Sequence, residues 1–265
     1  MNSFASLGIN ISIAAEEIFS IGGLGITNAA ITGTFGLVIV LAILFYVSGK
    51  VKKEKYNRFV GLIQWVFEGL LGSINDIIPD KKLARKIMPL SVTIFFLVLI
   101  SYWLSVIPGL ETIMVHGVPL IRSMTADLNF TLAIAIITIV TVQVYAVKYL
   151  GMFGNAGRYF RSPIKDPIGS FEGILELVGE LSRGTALALR LFGNAFAGEV
   201  LLILIAVLTS YFASVVLPFF MAFELFIGFI QAYVFFMLSV IFTALAVSSH
   251  DHSPSPHNVS VEETG

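Results

Sequence analysis

An arginine, an asparagine and a glutamate stand in "LALRLFGNAFAGEV", residues 187–200, inside an otherwise apolar stretch. Upstream lie Glu172, Glu176, Glu180 and Arg183; downstream lie Glu224 and Gln231. At about 100° per residue, Glu172, Glu176, Glu180, Arg183, Arg190 and Asn194 share roughly a third of a helix circumference. Glu199 points to nearly the opposite side and is displaced about 13 Å along the axis from Arg190. An arginine or carboxylate at a bilayer centre costs about 2.5 to 3.5 kcal/mol on insertion scales, so each such residue raises a functional hypothesis. A guanidinium does not release its proton, so Arg190 cannot relay one and would instead block direct passage. A carboxylate on a moving partner would lose its proton on meeting Arg190 and would have to regain one before returning to lipid, where its charge is costly. That chemistry turns ion flow into motion.

Structural alternatives stand beside each of these residues. Arg190 could belong to an ion pair, although no acid lies three or four residues away. Glu199 and Glu224 could form a protonated polar cluster, while two close carboxylates sharing a proton would also suit transient proton occupancy. Glu172, Glu176 and Glu180 read equally well as a solvated helix start or as the lining of a path.

The elements that must position these groups are membrane helices. With 57% hydrophobic and 12% charged residues over 265 positions, and a mean hydropathy of +0.91, the chain is a polytopic membrane protein. Apolar runs long enough for a bilayer core of about 30 Å fall at 32–49, 90–107 and 128–147. Two longer helices follow, over 171–210 and 218–249. The first would run about 60 Å, twice a perpendicular crossing, so the pair is expected to form a long, tilted antiparallel hairpin. In such a hairpin Arg190 lies beside Gln231, Glu199 beside Glu224 and Glu172 beside His250. Residues 56–78 place Phe59, Ile63, Val66, Phe67, Leu70, Ile74 and Ile77 at helical spacing, which predicts an interfacial amphipathic helix ended by Pro79, with a short buried span as the other reading. The expected architecture is therefore all-α: about five transmembrane helices and one interfacial helix, in a single membrane domain with an N-terminal outside segment over 1–31.

Charge sets the orientation. Of the 16 Lys and Arg residues, 13 fall after span one, before span two or after span three, and Arg122 is alone in a loop on the other side. The positive-inside rule places the N-terminus outside and the tail over 250–265, polar and expected to be disordered, in the cytoplasm. The start "MNSFASLGINISIAAEEIFS" lacks a basic n-region and carries Glu16 and Glu17, so it is expected to be retained. This favours a bacterial plasma membrane over the mitochondrial inner membrane. A net charge of −1 gives nucleic-acid binding no support, and the lack of cysteine excludes disulfides and zinc-thiolate sites. No phosphate loop, metal motif or nucleophile with a base is present, so no cofactor, no metal and no catalytic activity of the chain's own are expected.

"LALRLFGNAFAGEV" resembles the signature of subunit a of the F-type ATP synthase. "SMTADLN" (123–129), "RSPIKDPIGSFEGILELVGELSR" (161–183) and "GFIQAYVFFMLSVIF" (228–242) extend the resemblance, which covers about residues 35 to 248. It implies that Arg190 is the family's stator arginine, that Asn194 and Gln231 accompany it towards the rotor, that Glu199 belongs to the outer half-channel and that Glu176 matches the acidic position of the cytoplasmic path. It implies as partners a ring of c subunits, the b-subunit stalk, the other synthase subunits and the lipid bilayer. At Glu224 the best-known bacterial pattern has histidine, and a carboxylate pair titrates differently from a Glu–His pair. His116 and His250 read as surface residues rather than replacements. Asp127 and Asn129 either line the outer entrance or, for Asp127, cap span three. A stand-alone transporter binding an anion at Arg190 would bring internal repeats and broken helices, and neither is visible in the sequence. A purely structural scaffold predicts that neutral substitutions at Arg190 and Glu199 are silent.

Overall fold

The computed structural model of the chain describes residues 15–21, 24–107, 114–115, 118–120, 122–159 and 167–248. Residues 1–14, His116, His250 and the 250–265 tail lie outside the described residues. Helices dominate: α1 Asn28–Lys52, α2 Arg58–Ile77, α3 Lys81–Val106, α4 Leu128–Leu150, α5 Met152–Tyr159, α6 Pro167–Thr209 and α7 Ala213–Ser248. All except α2 and α5 are long and apolar enough to cross a membrane, which matches the expected all-α membrane architecture.

The apolar runs mark where helices cross, but capping marks where they end. Helix α1 starts at Asn28, because Thr27 Oγ1 accepts from the Ala30 amide. Helix α1 thus begins within 1–31, and an antiparallel pair, β1 Glu17–Ile21 with β2 Leu24–Thr27, precedes it. Helix α3 begins at Lys81, nine residues before the apolar run, since Asp80 Oδ1 accepts from Lys82 N at 2.8 Å and the basic first turns continue the helix through Pro89. Proline removes one donor there without stopping the helix. Helix α7 likewise begins at Ala213 and carries Pro218 in its second turn rather than at its start. A short 3₁₀ turn, Ser210–Phe212, joins it to α6. Helix α4 is capped by Asp127, whose Oδ1 accepts from Asn129 N at 3.0 Å, and ends at Gly151, whose φ of 77° is open to glycine.

Helices α3 and α7 form the central pair, with α1 and α2 on one side and α4 and α6 on the other. Phe95 is fully buried at the centre and meets Phe96, Phe229 and Phe236 edge-on. Ser239 donates to Ser91 across the same seam at 3.0 Å. Lipid tails are as apolar as these side chains, so such helices associate through close packing and interhelical hydrogen bonds rather than a hydrophobic drive. Helix α2 buries Val60, Ile63, Leu70 and Ile74 against this core and leaves Phe59, Leu62 and Trp65 exposed. At 43 and 36 residues, α6 and α7 would extend about 64 Å and 54 Å.

Candidate functional site

The α6–α7 hairpin carries polar groups at three levels. At the middle one, near the centre of α6, the Arg190 side chain is exposed, and among the described residues it makes no hydrogen bond or ion pair. One turn on, Asn194 Nδ2 donates to Gln231 Oε1 of α7 at 2.8 Å. Gln231 is buried, and its Nε2 is without a partner among the described residues. The hairpin thus pairs Gln231 with Asn194 rather than directly with Arg190, a shift of one helical turn from the simple register. Asn194 lies on the same face of α6 as Arg190, one turn further on.

The upper level lies towards the α6–α7 turn. A Cβ built on Gly198 would fall on the Glu224 carboxylate, and one on Gly228 would fall on the Tyr102 ring. Both glycines therefore permit a close approach that a methyl group would block. Glu224 is buried, and the Tyr102 hydroxyl of α3 donates to its Oε1 at 2.6 Å. Glu199, one residue on from Gly198, turns away from Glu224 towards the loop before α4. There Arg122 Nε lies 3.7 Å from Glu199 Oε1. The residue directly against Glu224 is therefore Gly198, because only the glycine lets the α7 carboxylate lie on the α6 backbone. Asp127 and Asn129 stand at this end as cap and capped residue of α4.

The lower level, towards the start of α6, contains two separate arrangements. Glu176 Oε1 lies 3.7 Å from Arg183 on the same helix, with both side chains 39% exposed, and Arg183 also stacks over Phe242 of α7, 5.7 Å from the ring centroid. Exposed ion pairs of this kind contribute little, about 0 to 1 kcal/mol. Glu180 is differently placed. Both of its oxygens accept hydrogen bonds, from Gln143 of α4 and from the Tyr159 hydroxyl of α5. Gln143 in turn accepts from Asn155 of α5 at 3.0 Å. Glu172 lies exposed one turn before Glu176, and its expected neighbour His250 is outside the described residues.

Among the described residues no group of three or more His, Cys, Asp or Glu is placed to hold a metal ion. Sequence reasoning missed Arg122, Tyr102, Gln143, Asn155 and Tyr159, and it missed α5 altogether. The available signal was the presence of Tyr102 and Gln143 inside apolar spans, since a buried hydroxyl or amide must find a partner there.

The family model described as ATP synthase A chain matches residues 30–244. A protein named ATP synthase subunit a from Mycobacterium ulcerans (strain Agy99) is 31% identical over 233 residues, covering 85% of this chain and 89% of that protein. Relatives with the same name from Desulforamulus reducens (strain ATCC BAA-1160 / DSM 100696 / MI-1) and Aliivibrio salmonicida (strain LFI1238) are 31% and 30% identical over 246 and 235 residues. The first of these alignments covers 89% of this chain and 86% of the relative, the second 85% and 87%. Five apolar helices, a hairpin that carries polar groups and a match over most of the length agree: the chain belongs to the ATP synthase A chain family and is a membrane-sector component of that complex.

Proposed function

We propose that this chain is the proton-conducting stator of the membrane sector, offering two offset half-paths to the carboxylates of a c-subunit ring, with Arg190 as the barrier between them. The observation that carries the reading is Arg190 itself: exposed, mid-helix and unpaired among the described residues. An arginine in that position is costly unless something outside the chain answers its charge. A ring carboxylate does so, and in doing so gives up its proton. Asn194 and Gln231 hold the adjacent turn polar at the same surface. Glu199 and Glu224 line the outer half-path, with Asp127 and Asn129 near its entrance; Glu176 serves the inner one, with Glu172, Glu180 and His250 as its further lining. From Arg190 to Glu199 is about 13 Å along α6, and from Arg190 to Glu176 about 21 Å the other way, so neither set of groups can pass a proton to the other without the ring.

In this reading the chain sits in a bacterial plasma membrane with its N-terminus outside and its C-terminus in the cytoplasm, an orientation that the clustered lysines and arginines support. The b-subunit stalk holds it against the turning ring. Replacing Arg190 with Ala in the assembled complex abolishes ATP-driven proton pumping in vesicles. Lys restores little, because its compact ammonium can lose a proton where guanidinium cannot. Full pumping by Arg190→Ala would sink the proposal.

A further inference from the structure

At the upper level the contacts of Arg122, Glu199 and Glu224 divide the two glutamates. Arg122 and Glu199 face each other with side chains only 8% and 18% exposed. Glu224 has instead a neutral partner, the Tyr102 hydroxyl. Four elements bring these groups together: Arg122 comes from the loop, Glu199 from α6, Glu224 from α7 and Tyr102 from α3, and Asp127, the cap of α4, stands at the same end. A guanidinium keeps its charge at any working pH, so a carboxylate facing it has a counter-charge that never leaves. A hydroxyl is more accommodating. It donates to an ionised carboxylate and, by rotating, accepts from a protonated one.

Arg122 is no loose surface side chain. Its backbone N–H donates to Thr32 Oγ1 of α1 at 3.2 Å. Asn28, four residues before Thr32, donates to the carbonyl of Pro119 at 3.2 Å and accepts from the amides of Glu16 and Ala29. On the other side of Arg122, the Ser123 and Thr125 hydroxyls are bonded at 2.8 Å, and Asp127 caps α4. The loop is thus held at both ends and presents its guanidinium to α6 from outside the α6–α7 seam.

We propose that Arg122 is a positioning residue that holds Glu199 as a fixed anion, leaving Glu224, with Tyr102, as the carboxylate that takes up and hands on the travelling proton. This rests on the half-path reading above. In the forward step a proton from outside water adds to a Glu224 carboxylate oxygen while the Tyr102 O–H turns. In the next step the proton leaves for an ionised ring carboxylate and Glu224 is a carboxylate again. Arg122 and Glu199 keep their charges throughout.

The test uses vesicles holding the complete synthase complex, with ATP-driven proton pumping measured per assembled complex as judged by co-purification of the c ring. Arg122→Gln and Glu199→Gln each lower the rate about tenfold or more, since each breaks the pair that holds Glu199 in place. The double variant Arg122→Gln/Glu199→Gln returns to within about threefold of the unsubstituted rate, because removing both charges removes the conflict. Arg122→Lys recovers most of what Arg122→Gln loses, and Glu224→Gln falls about a hundredfold. A double variant as inactive as Glu224→Gln would show that Glu199 carries the proton itself and would overturn the assignment, as would an Arg122→Gln rate equal to the unsubstituted one. If a single variant fails to assemble, the double variant, compared with Glu224→Gln, still decides. Arg190→Ala runs alongside: pumping by that variant overturns the half-path reading, whereas its loss together with a dead double variant overturns only the role of Arg122.

Discussion

Two glycines decide how closely the α7 carboxylate and the α3 tyrosine approach their neighbours. Gly198 leaves room for Glu224, and Gly228 leaves room for the Tyr102 ring, so the Tyr102–Glu224 hydrogen bond exists only because both positions lack a Cβ. Gly198→Ala is therefore expected to push the carboxylate off its hydroxyl partner, at a cost of about 1 to 3 kcal/mol from overpacking. Pumping in vesicles should fall at least tenfold while the ring still co-purifies. Adding Glu224→Asp, which withdraws the carboxylate by one methylene, should restore part of the rate. A Gly198→Ala complex that pumps normally would show that the close approach does not matter to transport. The importance of Arg190, Asn194, Glu199 and Glu224 was legible from residue type alone, since polar groups in an apolar run are conspicuous. Arg122 was not legible in that way. In the sequence it counts only as the exception to a charge pattern, and nothing local says that it bends onto a glutamate 77 positions away.

Among the helices, α5 is short, and its hold on the bundle is polar. Asn155 and Tyr159 meet Gln143 of α4, and Gln143 and Tyr159 both donate to Glu180 of α6. The arrangement fastens the long lower half of α6 to α4 and satisfies both oxygens of a carboxylate that its position on the α6 wheel alone would assign to a path. Tyr159→Phe removes one of those donors and should cost about 1 to 2 kcal/mol. Gln143→Leu should cost more, because that amide bonds to three partners. Both should lower the thermal midpoint of the purified complex, Gln143→Leu further, and both should speed tryptic cleavage around Arg158 and Arg161. Equal midpoints for all three proteins would mean that α5 is held by other contacts. The sequence contains no sign of α5, since eight residues after a glycine stop look like a loop until their hydrogen-bond partners are known.

The molecule as a whole is a central α3–α7 pair carrying α1 and α2 on one side and the long α6, braced by α4, on the other. Because the chain has no cysteine, its orientation can be read with single introduced thiols. Lys55→Cys, in the turn after α1, should react with an impermeant maleimide only from the cytoplasmic face. Met114→Cys, at the exposed first position of the short ribbon between α3 and α4, should react only from outside. Labelling of the two from the same side would contradict the alternating topology, and exchange of their sides would reverse the orientation inferred from the charges.

Hydropathy, charge placement and helical spacing carry no information about distance along the chain, so they sufficed for what is local. The number of crossings, the excess length of the last two helices, the shared face of Glu176, Arg190 and Asn194, and the antiparallel pairing of α6 with α7 to within about one turn all follow from residues and their neighbours. Helices extend beyond the apolar runs by up to nine residues because apolar runs report lipid contact, whereas caps such as Thr27 and Asp80 report where the backbone turns. Pairings between elements needed the folded chain. Glu199 with Arg122, Glu224 with Tyr102 and Glu180 with Gln143 and Tyr159 join positions between 21 and 122 residues apart. In each case a buried or half-buried polar group had to find a partner, and only the packing of the helices determined which one lay within reach.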